Sequence, residues 1–143
     1  MPTLKDAIIL AATHHEGQVD KVGQPYILHV LRVMLRLKTE KERIAGVLHD
    51  IVEDCLVTFD DLATLGYDDE IIDAIRCVSK LPEEEDNYAA FIQRVSRGSL
   101  LARRVKIADL QDNADLSRIP NPTEKDFRRT EKYLRAIKLL RAV

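Results

Sequence analysis

The run Leu48-His-Asp-Ile-Val-Glu-Asp54 sets one imidazole and three carboxylates within six residues. On a helical wheel started at Ile44, the residues His49, Asp50, Glu53 and Asp54 fall at roughly 140°, 240°, 180° and 280°, away from apolar Ile44, Val47, Leu48 and Ile51. No Lys or Arg stands three or four residues further on to relieve the repulsion among these acids, so the charge they lack is a cation. Both His and Asp ligate Mn, Fe, Co or Zn, and neighbours 100° apart can reach one ion lying between them. A solvated helix face is the plain alternative.

Two ligands are too few, so a metal site needs donors from other segments. His29 follows Gly23-Gln-Pro-Tyr-Ile-Leu and opens an apolar segment, where an unpartnered imidazole needs an explanation; a hydrogen-bonded core or cap histidine is the alternative. Asp109 stands in Val105-Lys-Ile-Ala-Asp-Leu, flanked by apolar residues, and its alternative is a salt bridge to Lys106 or an arginine. His14 and His15 read as packing or capping residues rather than ligands.

The elements that must position these groups are helices. Five Gly and five Pro among 143 residues leave few breakers, and nowhere do four or more residues alternate apolar and polar as a half-buried strand would. Thr39 with Glu42 makes a capping box, Thr58 with Asp61 and Thr123 with Asp126 are weaker versions, and Asp68 can cap the helix beginning at 69. The pattern predicts eight helices, over 3–16, 27–37, 40–54, 59–65, 69–80, 87–97, 100–117 and 124–142. The segment 27–37 is apolar nearly all round and is expected to be central, whereas Tyr88, Phe91, Ile92 and Val95 form an amphipathic stripe.

Composition narrows the function classes. Lys and Arg number 22 against 24 Asp and Glu, and a net charge of −2 with both signs interspersed gives no basic footprint for nucleic acid. The longest stretch free of Asp, Glu, Lys and Arg is the ten residues from Val22 to Leu31, against about 20 apolar residues for a membrane span. Lys5, Asp6 and Glu16 interrupt any secretory h-region, and Cys55 with Cys77 make no disulfide framework, so a cytoplasmic protein of one domain over 1–143 is expected, with no membrane partner.

The order His29, His49-Asp50, Asp109 is similar to the ligand order of the HD-domain metal-dependent phosphohydrolases. His15-Glu-Gly-Gln18, Lys21-Val-Gly-Gln-Pro-Tyr-Ile-Leu-His29, Leu48-His-Asp-Ile-Val-Glu-Asp54, Val78-Ser-Lys80 and Lys106-Ile-Ala-Asp109 with Asn113 resemble the hydrolase domain of the RelA/SpoT alarmone proteins. The resemblance covers residues 7 to about 137, and 143 residues leave no room for the synthetase and regulatory domains of the longer members. Single-domain small alarmone hydrolases are the nearest type, which implies an all-α HD-domain bundle of about eight helices.

That resemblance implies His29, His49, Asp50 and Asp109 as ligands of Mn²⁺, and Glu53 with Asp54 as the catalytic pair serving the attacking water. It implies Lys21, Tyr26 and Asn113 as substrate contacts, with Asn113 near the nucleotide sugar. The implied reaction removes pyrophosphate from the 3′ position of guanosine tetra- or pentaphosphate. Lys80, Arg104 and Lys106 read as solvated surface cations, although each is a candidate for neutralising phosphate. Asp20 stands where the family commonly has Arg, Val30 replaces Pro, Cys55 replaces Thr, and Leu110 stands where Arg is common. An anionic Asp20 facing a polyanion predicts weaker guanosine-alarmone recognition. The competing readings are an HD phosphohydrolase for another phosphorylated nucleotide, such as an adenine alarmone or NADPH, and a nucleotide-sensing module without turnover.

Overall fold

Capping chemistry starts the helices where the sequence places it. In the computed structural model, which describes residues 1–143, the boxes at Thr39/Glu42 and Thr58/Asp61 are formed, Asp126 accepts from the N–H and hydroxyl of Thr123, Asp68 accepts from Ile71 N–H, and Thr3 with Asp6 adds a further box. The elements are α1 (Leu4–His14), α2 (Ile27–Leu35), α3 (Glu40–Leu48), α4 (Ile51–Asp54), α5 (Phe59–Thr64), α6 (Asp69–Val78), α7 (Tyr88–Ser96), α8 (Leu100–Asn113) and α9 (Glu124–Arg141). Short 3₁₀ turns lie at Pro82–Glu84 and Leu116–Arg118. There is no strand; one isolated antiparallel bridge, Val19 to Pro25, closes the loop before α2. None of the helices is long and apolar enough to cross a membrane.

The expected helix over 40–54 is in fact two. α3 ends at Leu48 and α4 begins at Ile51, with His49 and Asp50 in the turn between them. The cause is local: His49 Nδ1 donates to the Gly46 carbonyl at 2.6 Å, and His49 N–H reaches the same oxygen at 3.4 Å. That oxygen is the one an uninterrupted helix would offer to Asp50 N–H. Helical pairing resumes when Asp54 N–H donates to Asp50 C=O at 3.0 Å. Counting α3 and α4 as one broken helix restores the eight expected.

Burial fixes the geometry around this break. Ile44, Val47, Leu48 and Ile51 are fully buried, each stabilising the fold by about 1.5–3 kcal/mol relative to exposure. A Cβ on Gly46 would lie 2.6 Å from Leu37 Cδ1 and 3.6 Å from Met34 Cα, so α3 packs closely on α2 here and a larger residue would have to move the Leu37 side chain. The larger core cluster joins α1, α2, α3, α6 and the first part of α8, while Phe91, Ile92, Val95, Leu110, Ala136, Ile137 and Leu140 form a smaller one beneath α7 and α9. α8 belongs to both. α2 is less enclosed than its composition suggests, for His29, Val30, Val33 and Met34 are buried but Leu28 and Leu35 face outward.

Candidate metal centre

Three elements converge where α2, the α3–α4 turn and α8 meet. Nε2 of His29 stands 3.0 Å from Asp109 Oδ1 and 3.6 Å from Asp50 Oδ2. Nε2 of His49 stands 3.2 Å and 3.0 Å from the same two oxygens. All four donor atoms lie within 4.8 Å of one another. Adjacent donors of an octahedral ion with ligand distances of about 2.1 Å are about 3 Å apart, so the spacing suits a divalent cation.

Each donor residue has a further partner, on the far atom of His29, His49 and Asp109, and Tyr26 and Asn113 bond the donor oxygens themselves. His29 Nδ1 bonds Asp112 Oδ2 at 2.6 Å and His49 Nδ1 bonds Gly46 C=O, which leaves both Nε2 atoms directed at the shared point. Tyr26 O–H donates to Asp50 Oδ2 at 2.6 Å, Lys106 Nζ donates to Asp109 Oδ2 at 2.9 Å, and Asn113 Nδ2 donates to Asp109 Oδ1 at 3.2 Å. Asp109 faces both histidines through one oxygen and pairs with Lys106 through the other. Lys106 itself is a correction: it is buried against Asp109 and the Phe91 face, not a solvated surface cation, because α8 turns that side toward α7. Arg104 pairs with Glu42, and His15 is buried at the end of α1 with Nδ1 on Gln18.

The electrostatics reflect this crowding. Burial disfavours charge on His29, but Asp109 and Asp112 outweigh it and lift its pKa to about 9. His49 is lifted well above its ordinary value in the same way, by Asp50 and Asp109 against the effect of burial. Burial pushes Asp109 up, yet Lys106 and His49 hold it well below the usual carboxylate range. A divalent cation is a stronger positive charge than the protons these imidazoles retain, and would displace them.

Glu53 and Asp54 on α4 have different surroundings. Glu53 Oε1 accepts the Lys80 backbone N–H at 2.6 Å. Asp54 carries its carboxyl at about 6, raised by burial and then by the charges of Asp50 and Glu53. Both follow Asp50 on α4, and Asp54 is close enough to Asp50 and His49 to feel their charge.

A cavity of about 530 Å³ opens beside the centre, reached at His29, Tyr26 and Asn113, and its size is ordinary for a small-molecule site. Lys21, Arg32, Arg118 and Arg129 line it with Tyr133 and Val22. Lys21 is held below the ordinary lysine value by partial burial and by Arg129, Lys125 and Lys132; Lys132 is lowered by burial, Lys80 and Arg129. Asp126 and Asp115 line the cavity too, the first paired with Arg129 and the second 3.6 Å from Arg118, so its wall mixes ion-paired arginines with Lys21 beside the carboxylates of the donor set. Asp20 also lines the cavity, but its Oδ1 accepts Val22 N–H at 3.0 Å and Gln24 N–H at 2.9 Å, closing a turn that Gly23 completes at φ +83°. The carboxylate thus stands at the cavity wall and holds the turn that carries Lys21 at once.

Sequence reasoning missed Asp112, Arg32, Arg118, Arg129 and Tyr133. Asp112 is three residues beyond Asp109 and Arg32 three beyond His29, so both share a helix face with a proposed ligand, and that spacing was the available signal.

No family profile matches the chain. It is 37% identical over 84 residues to the guanosine-3′,5′-bis(diphosphate) 3′-pyrophosphohydrolase of Vibrio cholerae, an alignment covering 54% of this chain and only 12% of that relative. It is 29% identical over 133 residues to the guanosine-3′,5′-bis(diphosphate) 3′-pyrophosphohydrolase MESH1 of Drosophila melanogaster, covering 86% of this chain and 74% of MESH1. A solved structure of a metazoan ortholog of SpoT, described as hydrolysing ppGpp, matches with a TM-score of 0.77 over 96% of this chain and 82% of that one, at 24% identity. The chain therefore shares its helical fold with that protein and spans a small part of the bacterial relative.

Proposed function

We propose that this chain, a homologue of the (p)ppGpp 3′-pyrophosphohydrolases with an HD-type donor set, is a Mn²⁺-dependent hydrolase that converts guanosine tetra- or pentaphosphate to GDP or GTP and pyrophosphate. One observation carries the reading: a largely buried set of two imidazoles and two carboxylates adjoins a cavity whose wall holds Lys21, Arg32, Arg118 and Arg129. The acids call for a cation and the basic side chains of the wall can meet phosphate oxygens, and a phosphohydrolase site needs both.

His29, His49, Asp50 and Asp109 would hold the ion, and mixed nitrogen and oxygen donors suit Mn²⁺. When bound, it supplies Lewis acidity and a lowered water pKa. Asp54 accepts a proton from the attacking water, a task matched to a carboxyl at about 6. Glu53, steadied by the Lys80 N–H, orients that water. The water oxygen joins the phosphorus attached to O3′, the bond from that phosphorus to O3′ breaks, and O3′ leaves as the sugar hydroxyl by taking up a proton, which balances the one Asp54 receives. Lys21 and Arg129 neutralise phosphate charge, Asn113 meets the sugar, and the Tyr26 ring forms a wall while its hydroxyl braces Asp50.

The alternative substrate, an adenine alarmone or NADPH, is favoured by one observation: the Lys21 loop offers no guanidinium at Asp20, whose carboxylate is engaged in its own turn. The deciding experiment incubates Mn²⁺-loaded protein with ppGpp, pppGpp, pppApp, NADPH and simple nucleotides and identifies the products. Pyrophosphate with GDP from ppGpp is the expected result. Turnover confined to pppApp or NADPH establishes the alternative, and binding without turnover across the panel leaves a sensing module.

A further inference from the structure

Asp112 is a charged side chain with no solvent exposure at all, one turn beyond Asp109 on α8. Nothing in the proposed chemistry uses it, yet its two oxygens serve three cationic or polar groups. Oδ2 meets His29 Nδ1 at 2.6 Å and Arg32 Nη2 at 3.2 Å; Oδ1 meets Arg32 Nε at 2.7 Å and Arg118 Nη1 at 3.3 Å. Arg118 Nη2 adds a bond to the Asp112 carbonyl at 3.2 Å. A carboxylate removed from water is stable only with such partners, and here the partners belong to two different places. His29 faces the metal centre, whereas Arg32 and Arg118 are walls of the cavity.

The contact with His29 has a defined consequence. A carboxylate on Nδ1 favours the tautomer with its proton there, so Nε2 keeps the lone pair that points toward Asp50 and Asp109. The contact with Arg32 is side-on and two-pronged, which fixes a guanidinium plane in the cavity wall. We propose that Asp112 is a positioning residue with two clients, orienting the ligand His29 toward the ion while pinning Arg32 and Arg118 where a phosphorylated ligand enters. This role rests on the reading of the four-donor cluster as a metal site.

The two clients can be separated experimentally. Mn²⁺ affinity is measured by competition with a fluorescent chelator, and binding of GDP, the product nucleotide, by calorimetry on the Mn²⁺-loaded protein, with far-UV circular dichroism reporting the fold. Asp112→Asn is expected to weaken Mn²⁺ binding about 10–100-fold, the usual scale for losing a ligand's outer partner. In a His29→Ala background the same substitution should change Mn²⁺ affinity by less than about twofold, since its effect runs through His29. Arg32→Gln, which keeps the His29–Asp112 bond, should leave Mn²⁺ affinity within about threefold while weakening GDP binding by about as much as an exposed-to-half-buried charge contact allows, roughly fivefold.

Unchanged Mn²⁺ affinity in Asp112→Asn overturns the proposal and makes this residue an anchor for the arginines alone. An undiminished effect of Asp112→Asn in the His29→Ala background overturns it too, as a sign of general distortion. Should Asp112→Asn fail to fold, Arg32→Gln decides: a loss of Mn²⁺ affinity beyond about tenfold there refutes the division into two clients. A wild-type chain that takes up no Mn²⁺ removes the metal reading and this role together, which is distinct from uptake that Asp112→Asn leaves intact.

Discussion

In the metal centre every donor is braced: His29 by Asp112, His49 by Gly46, Asp50 by Tyr26, and Asp109 by Lys106 and Asn113. The cavity beside it is built the other way. Lys21 stands on an exposed loop, Arg118 on a 3₁₀ turn and Arg129 on the outer helix α9, and Lys21 is lowered in pKa by burial and by neighbours of its own sign. The buried half is over-determined by hydrogen bonds, so its geometry survives small changes but not the loss of a donor. On the rim Arg118 and Arg129 are tied to carboxylates while Lys21 makes no ion pair, and these part-exposed charges act in a medium that water and salt can screen. Substitutions in the centre should therefore behave as switches, and substitutions on the rim as graded adjustments.

The largest effect should come from removing a donor. His49→Ala and Asp109→Asn are expected to abolish hydrolysis and to weaken Mn²⁺ binding by more than about 100-fold, beyond the 10–100-fold cost of an outer partner. Asparagine is preferred at 109 because Lys106 would otherwise be left buried without an acceptor. Elemental analysis after gel filtration checks this. Full metal occupancy in Asp109→Asn would remove that residue from the donor set.

Glu53→Gln and Asp54→Asn should come next, losing about 10²–10⁴ in kcat while keeping the ion, the scale for losing a general base. The pH profile gives the same residue a second test. If Asp54 is the base it works only when deprotonated, and its carboxyl lies at about 6, so kcat should fall as pH drops below that value. A bound cation favours the carboxylate and moves this acid limb lower, never higher. A limb well above 6, or near-normal turnover in both variants, assigns the water to other groups.

The difference between the two halves also explains what the sequence made legible. His and paired acids are scarce enough that four histidines could be sorted by context, and His29, His49, Asp50 and Asp109 do meet. Helices were legible because their caps are local: Thr39/Glu42 and Thr123/Asp126 need only four residues. The break at His49–Asp50 was not, because an imidazole competing for the Gly46 carbonyl leaves no mark on apolar periodicity. The rim was hidden in part for another reason. Lys21 and the face shared by Arg32 and His29 were legible, but Arg118 and Arg129 reach the cavity through the packing of the turn after α8 and of α9, a long-range matter that no local spacing encodes.

On the rim, Arg129→Gln should raise KM for ppGpp by about threefold to fivefold with kcat nearly unchanged, since a contact made equally in ground and transition states shows in KM. The effect should shrink at high salt. A change in kcat of the size expected for Asp54→Asn would erase the distinction between switch and adjustment.

The smallest effect, and the sharpest for the rim, concerns Asp20. If its negative charge opposes a polyanionic substrate, Asp20→Asn should lower KM, because the charge goes and little else does. The structure gives the opposite emphasis. Oδ1 accepts Val22 and Gln24 N–H, an Asx-type turn that also sets the neighbouring Lys21, and asparagine can accept both bonds through its own Oδ1. Asp20→Asn should then leave KM for ppGpp within about twofold, while Asp20→Ala, which frees both N–H groups and loosens Lys21, should raise it about threefold or more. Asp20→Arg should resemble alanine rather than improve binding, since a guanidinium has no acceptor for those N–H groups. A KM lowered by both asparagine and arginine would show that charge, not the turn, is what this residue contributes, and would make the rim a tuned electrostatic filter instead of a loop held in shape.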